Sequence, residues 1–536
     1  MGKRKREKTS VETAQKGASS CKSALHSLLG SALDMEGFMA AHWEQKPVVF
    51  KIPGDARRKR LASLFTLSTL WDCVEKAQKA DQPVEQGRDI NVVRYKDGVR
   101  ETLEDQEEGG SERWQQLYKE GWTLQVHQPQ RFCDGLTELC FSLERQLGCL
   151  VGSNAYITPA GAQGLAPHHD DVEIFVVQTE GRKKWRLYAP LGGFELPSTP
   201  SSDLTEEAIG KPTMEITLEM GDVLYMPRGT VHEAITDNAS ASCHVTISTY
   251  QQFSFATLAQ HVLDTLNDGH TPEVCLPIEL RRGLPIGFLY QHGLQHDVGA
   301  PESGARKQSA SGAKTDGARS AAASLAQGLR RLADAVECDP AMLSMAADSM
   351  AVDFMASRLP PKEGSLPDVG EAPTQSSNVR CRGSGLFRMM PPGDHDTPED
   401  TGEGWVKVMS CLHNTVDSHM MGSPAGDCEQ ERVACCHKRG DHRHASDDGG
   451  GDASEESGSE SEEEEDEEEE EIEECGEGAA DLVFPASYSF AIAQLLATAD
   501  GKGIKVSDIN LPSKEDKVGL AFALWSEGVI CTVPPE

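Results

Sequence analysis

Two β-rich segments that place metal-binding side chains beside them constrain this chain more than anything else in it. Ala166-Pro167-His168-His169-Asp170-Asp171 leads into Val172-Glu173-Ile174-Phe175-Val176-Val177-Gln178. Asp222-Val223-Leu224-Tyr225-Met226 leads into Pro227-Arg228-Gly229-Thr230-Val231-His232. A Gly181 turn is expected after the first segment, and the Pro227-Arg228-Gly229 turn after the second. His168 and Asp170 with the distant His232 supply two imidazoles and one carboxylate, the facial set that leaves positions open on Fe(II). The plain alternative is a pair of loop histidines near a strand. Short strands dominate from about Asn91 to Tyr250, which reads as an all-β barrel or jelly roll.

At 536 residues the chain has room for two or three domains. Its formal net charge is −35, unevenly spread. Asp452 to Glu474 holds sixteen acidic residues and no basic ones, and taking these from −35 leaves −19. An overall basic face for nucleic acid is therefore excluded, and no direct nucleic-acid binding is expected. The 15 cysteines are sparse and irregular for this length, which fits a reducing compartment better than a disulfide framework. No apolar run approaches eighteen residues, so neither secretion nor a membrane span is expected. The start, Met1-Gly2-Lys3-Arg4-Lys5-Arg6-Glu7-Lys8, is basic and polar, with Arg6 where a myristoylation signal wants Ser or Thr. It reads as a nuclear or nucleolar address, or else as a merely soluble tail.

Residues 1–20 are expected to be a disordered basic tail, with a catalytic domain over 21–253. Leu25, Leu28, Leu29, Leu33, Phe38 and Met39 give a helical pattern from Ala24 to about Phe50. After Phe255 the period turns helical again. Phe255, Leu258, Val262 and Leu266 share one stripe, and Leu325, Leu329, Leu332 and Val336 another. A helical domain over 254–360 follows, with Gly299–Gly317 read as a flexible loop. A helix–helix–strand module is expected from Ser487–Ala497, Asp516–Trp525 and Gly528–Val533. Its four basic and seven acidic residues between Asp481 and Glu536 favour docking over DNA binding.

In Asn154-Ala155-Tyr156-Ile157-Thr158 and His244-Val245-Thr246-Ile247-Ser248-Thr249-Tyr250 polar and apolar residues alternate. The polar side faces solvent or lines a ligand cavity. If the iron enzyme uses 2-oxoglutarate, a cation must meet the far carboxylate, because an unpaired buried charge is costly. Lys183 is the candidate, and Tyr156 and Ser248 are candidate hydroxyl donors to the same group.

The ordered motifs go further. Gly152-Ser153-Asn154-Ala155-Tyr156-Ile157-Thr158-Pro159-Ala160-Gly161 leads through Gln163-Gly164 to Pro167-His168-His169-Asp170-Asp171-Val172-Glu173. Trp185-Arg186-Leu187-Tyr188, Gly221-Asp222-Val223-Leu224-Tyr225 with Pro227-Arg228-Gly229-Thr230, and His244–Gln251 follow. Together they resemble the ribosomal oxygenases of the JmjC family, and specifically the Mina branch, whose relative is the nucleolar histidyl hydroxylase branch. The similarity runs from about Trp43 through Tyr250. It resumes weakly at Asp417-Ser418-His419-Met420-Met421-Gly422 and in the C-terminal module.

The resemblance implies a mainly β fold with α: a JmjC or cupin double-stranded β-helix (jelly roll), a helical dimerisation domain and a C-terminal winged-helix-like module. That module would span 375–422 and 481–536, split by an acidic low-complexity insertion over 423–480. It implies Fe(II)- and 2-oxoglutarate-dependent hydroxylation of a histidine in a ribosomal protein. His168, Asp170 and His232 would bind iron, and Tyr156, Lys183 and Ser248 would fall near 2-oxoglutarate. Asn91, Gln125 and Asn154 would fall where the family grips its substrate histidine. A homodimer and a nuclear, nucleolar setting are the implied context.

Two other functions stay open at this point. A histone lysine demethylase needs an aromatic or acidic pocket for a methylammonium, whereas Asn91, Gln125 and Asn154 are neutral amides. A non-catalytic cupin scaffold has no need of the triad plus Lys183, Tyr156 and Ser248. The sequence departs from the family at His169, where the family usually has Tyr; it is expected to be a strand-exposed neighbour. Cys428, Cys435, Cys436, His437, His442 and His444 cluster inside the insertion, but their irregular spacing favours a loop over a zinc site. The acidic tract after them reads as solvated, or as a lure for basic partners such as ribosomal proteins or histones.

Overall fold

A computed structural model describes residues 24–30, 35–51, 54–80, 84–103, 111–192, 195–267, 276–284, 312–391, 404–417, 419–420, 482–499 and 501–534. The expected tail, the Cys/His cluster and the acidic tract lie outside the described residues. The chain divides into two compact units, residues 1–251 with 356–536 and residues 252–355.

The first unit is built on ten antiparallel strands. In chain order they are β1 (Val48–Phe50), β2 (Ile90–Lys96), β3 (Val99–Thr102), β4 (Thr123–His127), β5 (Val151–Thr158), β6 (Glu173–Tyr188), β7 (Met214–Glu219), β8 (Val223–Met226), β9 (Val231–Thr236) and β10 (Ser242–Thr249). The main sheet runs β1-β8-β6-β10-β5-β4-β2-β3. β6 is long enough to serve two sheets. Residues 173–178 and 180–181 pair with β10, while 182–188 pair with β7 and β9. The turn expected at Gly181 is instead a bend inside one continuous strand. Gly181 sits at φ +61, and a Cβ there would stand 1.9 Å from the Ala241 carbonyl oxygen, so only glycine fits. This folding of two sheets over one another is the expected jelly roll.

The uninterrupted apolar run from Ile174 to Val177 follows from burial on both faces. Phe175 and Val177 pack with Phe38, Phe65 and Tyr225 under the covering helices. Ile174 and Val176 face the other way and pack with Trp185, Leu224 and Met226 inside the barrel. The covering layer includes helix Leu67–Lys79, started by Thr66, whose Oγ1 accepts from the Thr69 amide at 3.1 Å. It also includes helix Asp134–Leu147, which stops at Gly148 with φ +73. The single helical pattern expected over Ala24–Phe50 resolves into helices Ala24–Leu29 and Met35–Ala41 and then β1. Helices Ser111–Lys119 and Asp134–Leu147 interrupt the stretch expected to be mostly strands.

The same unit contains a C-terminal module of two three-stranded sheets. These are β15 (Ile504–Lys505), β11 (Asn378–Cys381) and β16 (Ile530–Val533), and β12 (Phe387–Met390), β13 (Trp405–Ser410) and β14 (Leu482–Pro485), each in that order. Helices Ser489–Leu496 and Lys514–Ser526 pack on them around Val379, Ile492, Leu520 and Ile530. β13 and β14 pair residue for residue although residues 421–481 separate their neighbourhoods in the chain. The long insertion therefore does not prevent its two flanks from building one core.

The second unit is helical: Phe255–Asn267, Ile278–Arg281, Gly312–Cys338 and Pro340–Ser357, whose last two residues fall in the first unit. Val262, Leu266, Leu332, Met342 and Ala346 form its core. The expected loop 299–317 needs correction at its end, because residues 312–317 lie inside the third helix. Ala, Arg, Lys and Gln are strong helix formers, and over 27 residues they outweigh Gly312 and Gly317. Residues 299–311 lie outside the described residues.

Candidate active site

His168 and His232 face each other across an antiparallel bridge. The His232 amide donates to the His168 carbonyl at 2.8 Å and the His168 amide to the His232 carbonyl at 3.2 Å. Asp170 completes the group, its carbonyl accepting from the Gly229 amide of the turn before β9 at 2.9 Å. His168 Nε2 lies 3.9 Å from Asp170 Oδ1, and His232 Nε2 lies 3.7 Å from Asp170 Oδ2. The three potential ligand atoms fall within 4.8 Å of one another, a grouping found nowhere else among the described residues.

Both imidazoles are oriented from behind. Nδ1 of His168 donates to the Ala166 carbonyl at 2.8 Å, and Nδ1 of His232 to the Thr230 carbonyl at 3.0 Å. That fixes the proton on Nδ1 and leaves each Nε2 lone pair for a metal. Burial first, and His168 beside it second, lower the His232 pKa to about 4, so the ring is neutral and ready to coordinate. Two imidazoles and one carboxylate on one side of a cavity fit an Fe(II) ion with open positions.

The turn carrying Gly229 is itself anchored. Arg228 Nη1 lies 2.8 Å from Glu44 and 3.4 Å from the buried Glu173, whose other oxygen accepts from Tyr225 OH. Desolvation pushes the Glu173 carboxyl up to about 7 despite those partners. His169 is not the strand-exposed neighbour expected. It is 5% exposed, its backbone is hydrogen-bonded to Ser201 on both sides, and burial lowers its pKa.

The trio opens onto a cavity. Tyr156, Lys183, Trp185, His244 and Thr246 line it. Lys183 is 4% exposed, and its Nζ donates to Thr158 Oγ1 at 3.1 Å. No carboxylate pairs with it among the described residues, and burial lowers its pKa from 10.5 to about 7. A buried amine without a counter-ion is a site prepared for an anion. Beside it, the His244 ring stacks on Tyr156 at 4.9 Å and meets Trp185 edge-on at 5.2 Å. His244 Nδ1 and Trp185 Nε1 are buried with no hydrogen-bond partner. Sequence reasoning put His244 and Thr246 on the polar face of their strand but did not select them. Ser248, which it did select, stands one pairing step away opposite Gly152 and Ile174, half-buried and outside the residues lining the cavity.

The substrate candidates Asn91, Gln125 and Asn154 are not among the residues lining the cavity, but they share one face of the sheet with Tyr156, which is. Asn91 pairs with Gln125, Gln125 with Tyr156, and Tyr156 with His244, so four strands present one polar row. Gln125 Nε2 donates to Tyr156 OH at 3.3 Å, while its Oε1 is buried without a partner. Asn154 stands on the next row, opposite Thr246, and its Oδ1 accepts from the Gln128 amide at 3.5 Å. Gln128, which sequence reasoning passed over, also buries an unpartnered Oε1. Its side-chain type carried no signal. The only hint was its place before Pro129.

Comparisons with known proteins agree with this geometry. A JmjC domain model matches residues 125–258. Ribosomal oxygenase 2 of Bos taurus is 33% identical over 94% of this chain and 90% of its own length. The bifunctional lysine-specific demethylase and histidyl-hydroxylase NO66 of Drosophila persimilis is 32% identical over 61% of this chain, and the match spans 43% of the NO66 chain. Among solved structures, E. coli YcfD aligns over 94% of this chain and 98% of its own at 15% identity, with a TM-score of 0.39.

Proposed function

The chain belongs to the ribosomal oxygenases of the JmjC type, and from that premise we propose that it hydroxylates a histidine side chain of a ribosomal protein with Fe(II) and 2-oxoglutarate. The observation that carries the chemistry is one cavity holding both an oriented His168-Asp170-His232 trio and an unpaired buried Lys183. Iron bound with 2-oxoglutarate and O2 supplies the oxidation of a C–H bond, 2-oxoglutarate leaving as succinate and CO2. The chain's residues do the rest. His168 and His232 offer Nε2 because their Nδ1 protons are committed. Lys183 meets the distal carboxylate, with Tyr156 OH and Thr158 Oγ1 beside it. Ile174, Val176 and Met226 give the cavity an apolar wall that excludes water.

Substrate choice follows from the polar wall. Gln125 and Gln128 each bury a free amide oxygen, and Asn91 and Asn154 add two more amides nearby. Amides hold a neutral imidazole and its backbone by hydrogen bonds but offer no counter-charge to a methylammonium. Apart from Asp170 of the trio, the carboxylate lining the cavity is Glu233, already engaged by Tyr188 OH at 2.6 Å and Arg186 at 3.3 Å. Histidine is thus favoured over methyl-lysine, and loss of a lysine methyl would be the contrary outcome. Anaerobic addition of Fe(II) and 2-oxoglutarate should develop a weak visible charge-transfer band. Its absence, with no thermal shift, would make the chain a scaffold.

The proposed assembly is a homodimer through the helical unit, where Phe255, Leu325, Leu329 and Val352 are exposed. The proposed setting is the nucleus and nucleolus, supported by the basic run Met1–Lys8.

A further inference from the structure

The turn that carries His419 and Met420 leaves the C-terminal module and lies against the barrel beside the polar wall. Met420 takes φ +62 there, and its Cε lies 3.3 Å from where a Cβ of Gly152 would stand, two residues before Asn154. The Met420 carbonyl accepts from Gln128 Nε2 at 2.8 Å. A carbonyl only accepts, so the Gln128 amide must turn its NH2 toward the module and leave Oε1 as the free acceptor. Gln128 is itself held at φ +46, a conformation that non-glycine residues keep only where the surroundings impose it.

His419 secures this turn in a fully buried chain of hydrogen bonds. Its Nε2 donates to Glu144 Oε1 at 2.9 Å, and its Nδ1 accepts from Gln130 Nε2 at 3.1 Å. Gln130 Oε1 in turn accepts from Ser153 Oγ at 2.6 Å. Glu144 also accepts from the amides of Leu359 at 2.9 Å and Val151 at 3.3 Å. Every donor in the series faces an acceptor, so a single imidazole ties both strand β5 and the segment Gln128–Gln130 to the module.

We propose that Gln128 binds the polypeptide substrate through Oε1, and that His419 and Met420 are positioning residues that aim it, so that the C-terminal module helps set substrate affinity. This rests on the reading of Gln125 and Asn154 as substrate amides. The metal trio and Lys183 are untouched by the turn, so iron and 2-oxoglutarate binding are independent of it.

The test uses the full chain with peptides tiling the large-subunit ribosomal proteins, and compares Gln128→Ala, His419→Ala and the double variant. Each single change should raise the peptide KM about tenfold, the size of one lost hydrogen bond to a buried group. In His419→Ala, substrate-free succinate formation should stay at the wild-type rate. The double variant should lose little more than either single, because both changes remove one interaction. His419→Gln, whose Nε2 can still donate to Glu144, should recover part of the loss and keeps the test available if the alanine variant does not fold. Hydrogen exchange at Gln128–Arg131 should accelerate in the His419 variants. An unchanged KM in Gln128→Ala, additive losses in the double, or unchanged exchange would each overturn the proposal. Wild-type protein that hydroxylates none of the peptides would overturn the proposed function instead, and the exchange result would still judge the turn.

Discussion

Replacing Lys183 with Met should make the metal-free protein more stable while destroying its hold on 2-oxoglutarate. Burial lowers the lysine from 10.5 to about 7, which corresponds to a cost of roughly 4–5 kcal/mol for keeping it charged inside the fold. Losing its bond to Thr158 Oγ1 gives back about 1 kcal/mol, so about 3 kcal/mol of net stabilisation remains near pH 7. For a unit of this size that is several degrees in Tm. The sign with pH is fixed. The folded protein binds fewer protons than the unfolded chain between pH 7 and 10.5, so wild-type stability rises through that window. The advantage of Met should therefore be full at and below pH 7 and gone by pH 10.5. Binding moves the other way. A carboxylate left unpaired in the cavity costs about 3–5 kcal/mol, so 2-oxoglutarate should bind roughly 10²–10⁴-fold more weakly. Thermal unfolding across pH and anaerobic titration of the cosubstrate read both effects. A Met variant that is less stable at pH 7 yet binds 2-oxoglutarate normally would refute the reasoning.

The same lysine should recapture its proton on binding, so calorimetry at pH 8 in buffers of different ionisation heat should show uptake of about one proton; no uptake would mean that another group meets the carboxylate. Asp170→Ala should abolish substrate-dependent succinate formation in a protein that keeps its wild-type circular dichroism, and retained turnover would remove Asp170 from the ligand set. Leu325→Lys with Leu329→Lys, both at exposed positions of the helical unit, should give a monomer by light scattering. Leu332 is unsuitable for that test because it is buried in the unit's own core. Wild-type protein monomeric at micromolar concentration would end the dimer proposal.

The metal trio was legible because it combines chemistry with short spacing: His-x-Asp before an apolar run, and a histidine after a Pro-Arg-Gly turn. Lys183 was legible because a buried 2-oxo diacid demands a cation, and the strand after Gly181 offered one on the right side. What escaped depended on register. Ser248 and Thr246 share a face of β10, and only the pairing of Thr246 with Asn154 and Val176 decides which one lines the cavity. His244 was visible on the polar face, yet its stacking on Tyr156 depends on the register that sets it opposite Tyr156 on β5, which no local pattern announces. The chain of bonds from Glu144 through His419 to Gln130 spans up to 289 residues of sequence, beyond the reach of local reading. Local rules also gave way where segments were mixed. Gly312 and Gly317 suggested a loop, and the alanine-rich surroundings made a helix.

Which residue is oxidised separates a histidyl hydroxylase from a lysine demethylase. Peptides tiling the large-subunit ribosomal proteins, and methylated histone-tail peptides beside them, can be incubated with the enzyme, Fe(II), 2-oxoglutarate and O2 and sequenced by tandem mass spectrometry. The amide wall of Asn91, Gln125 and Asn154 predicts one oxygen added to a histidine of a ribosomal peptide, absent in Asp170→Ala. A methyl lost from lysine, with every histidine unmodified, would contradict it.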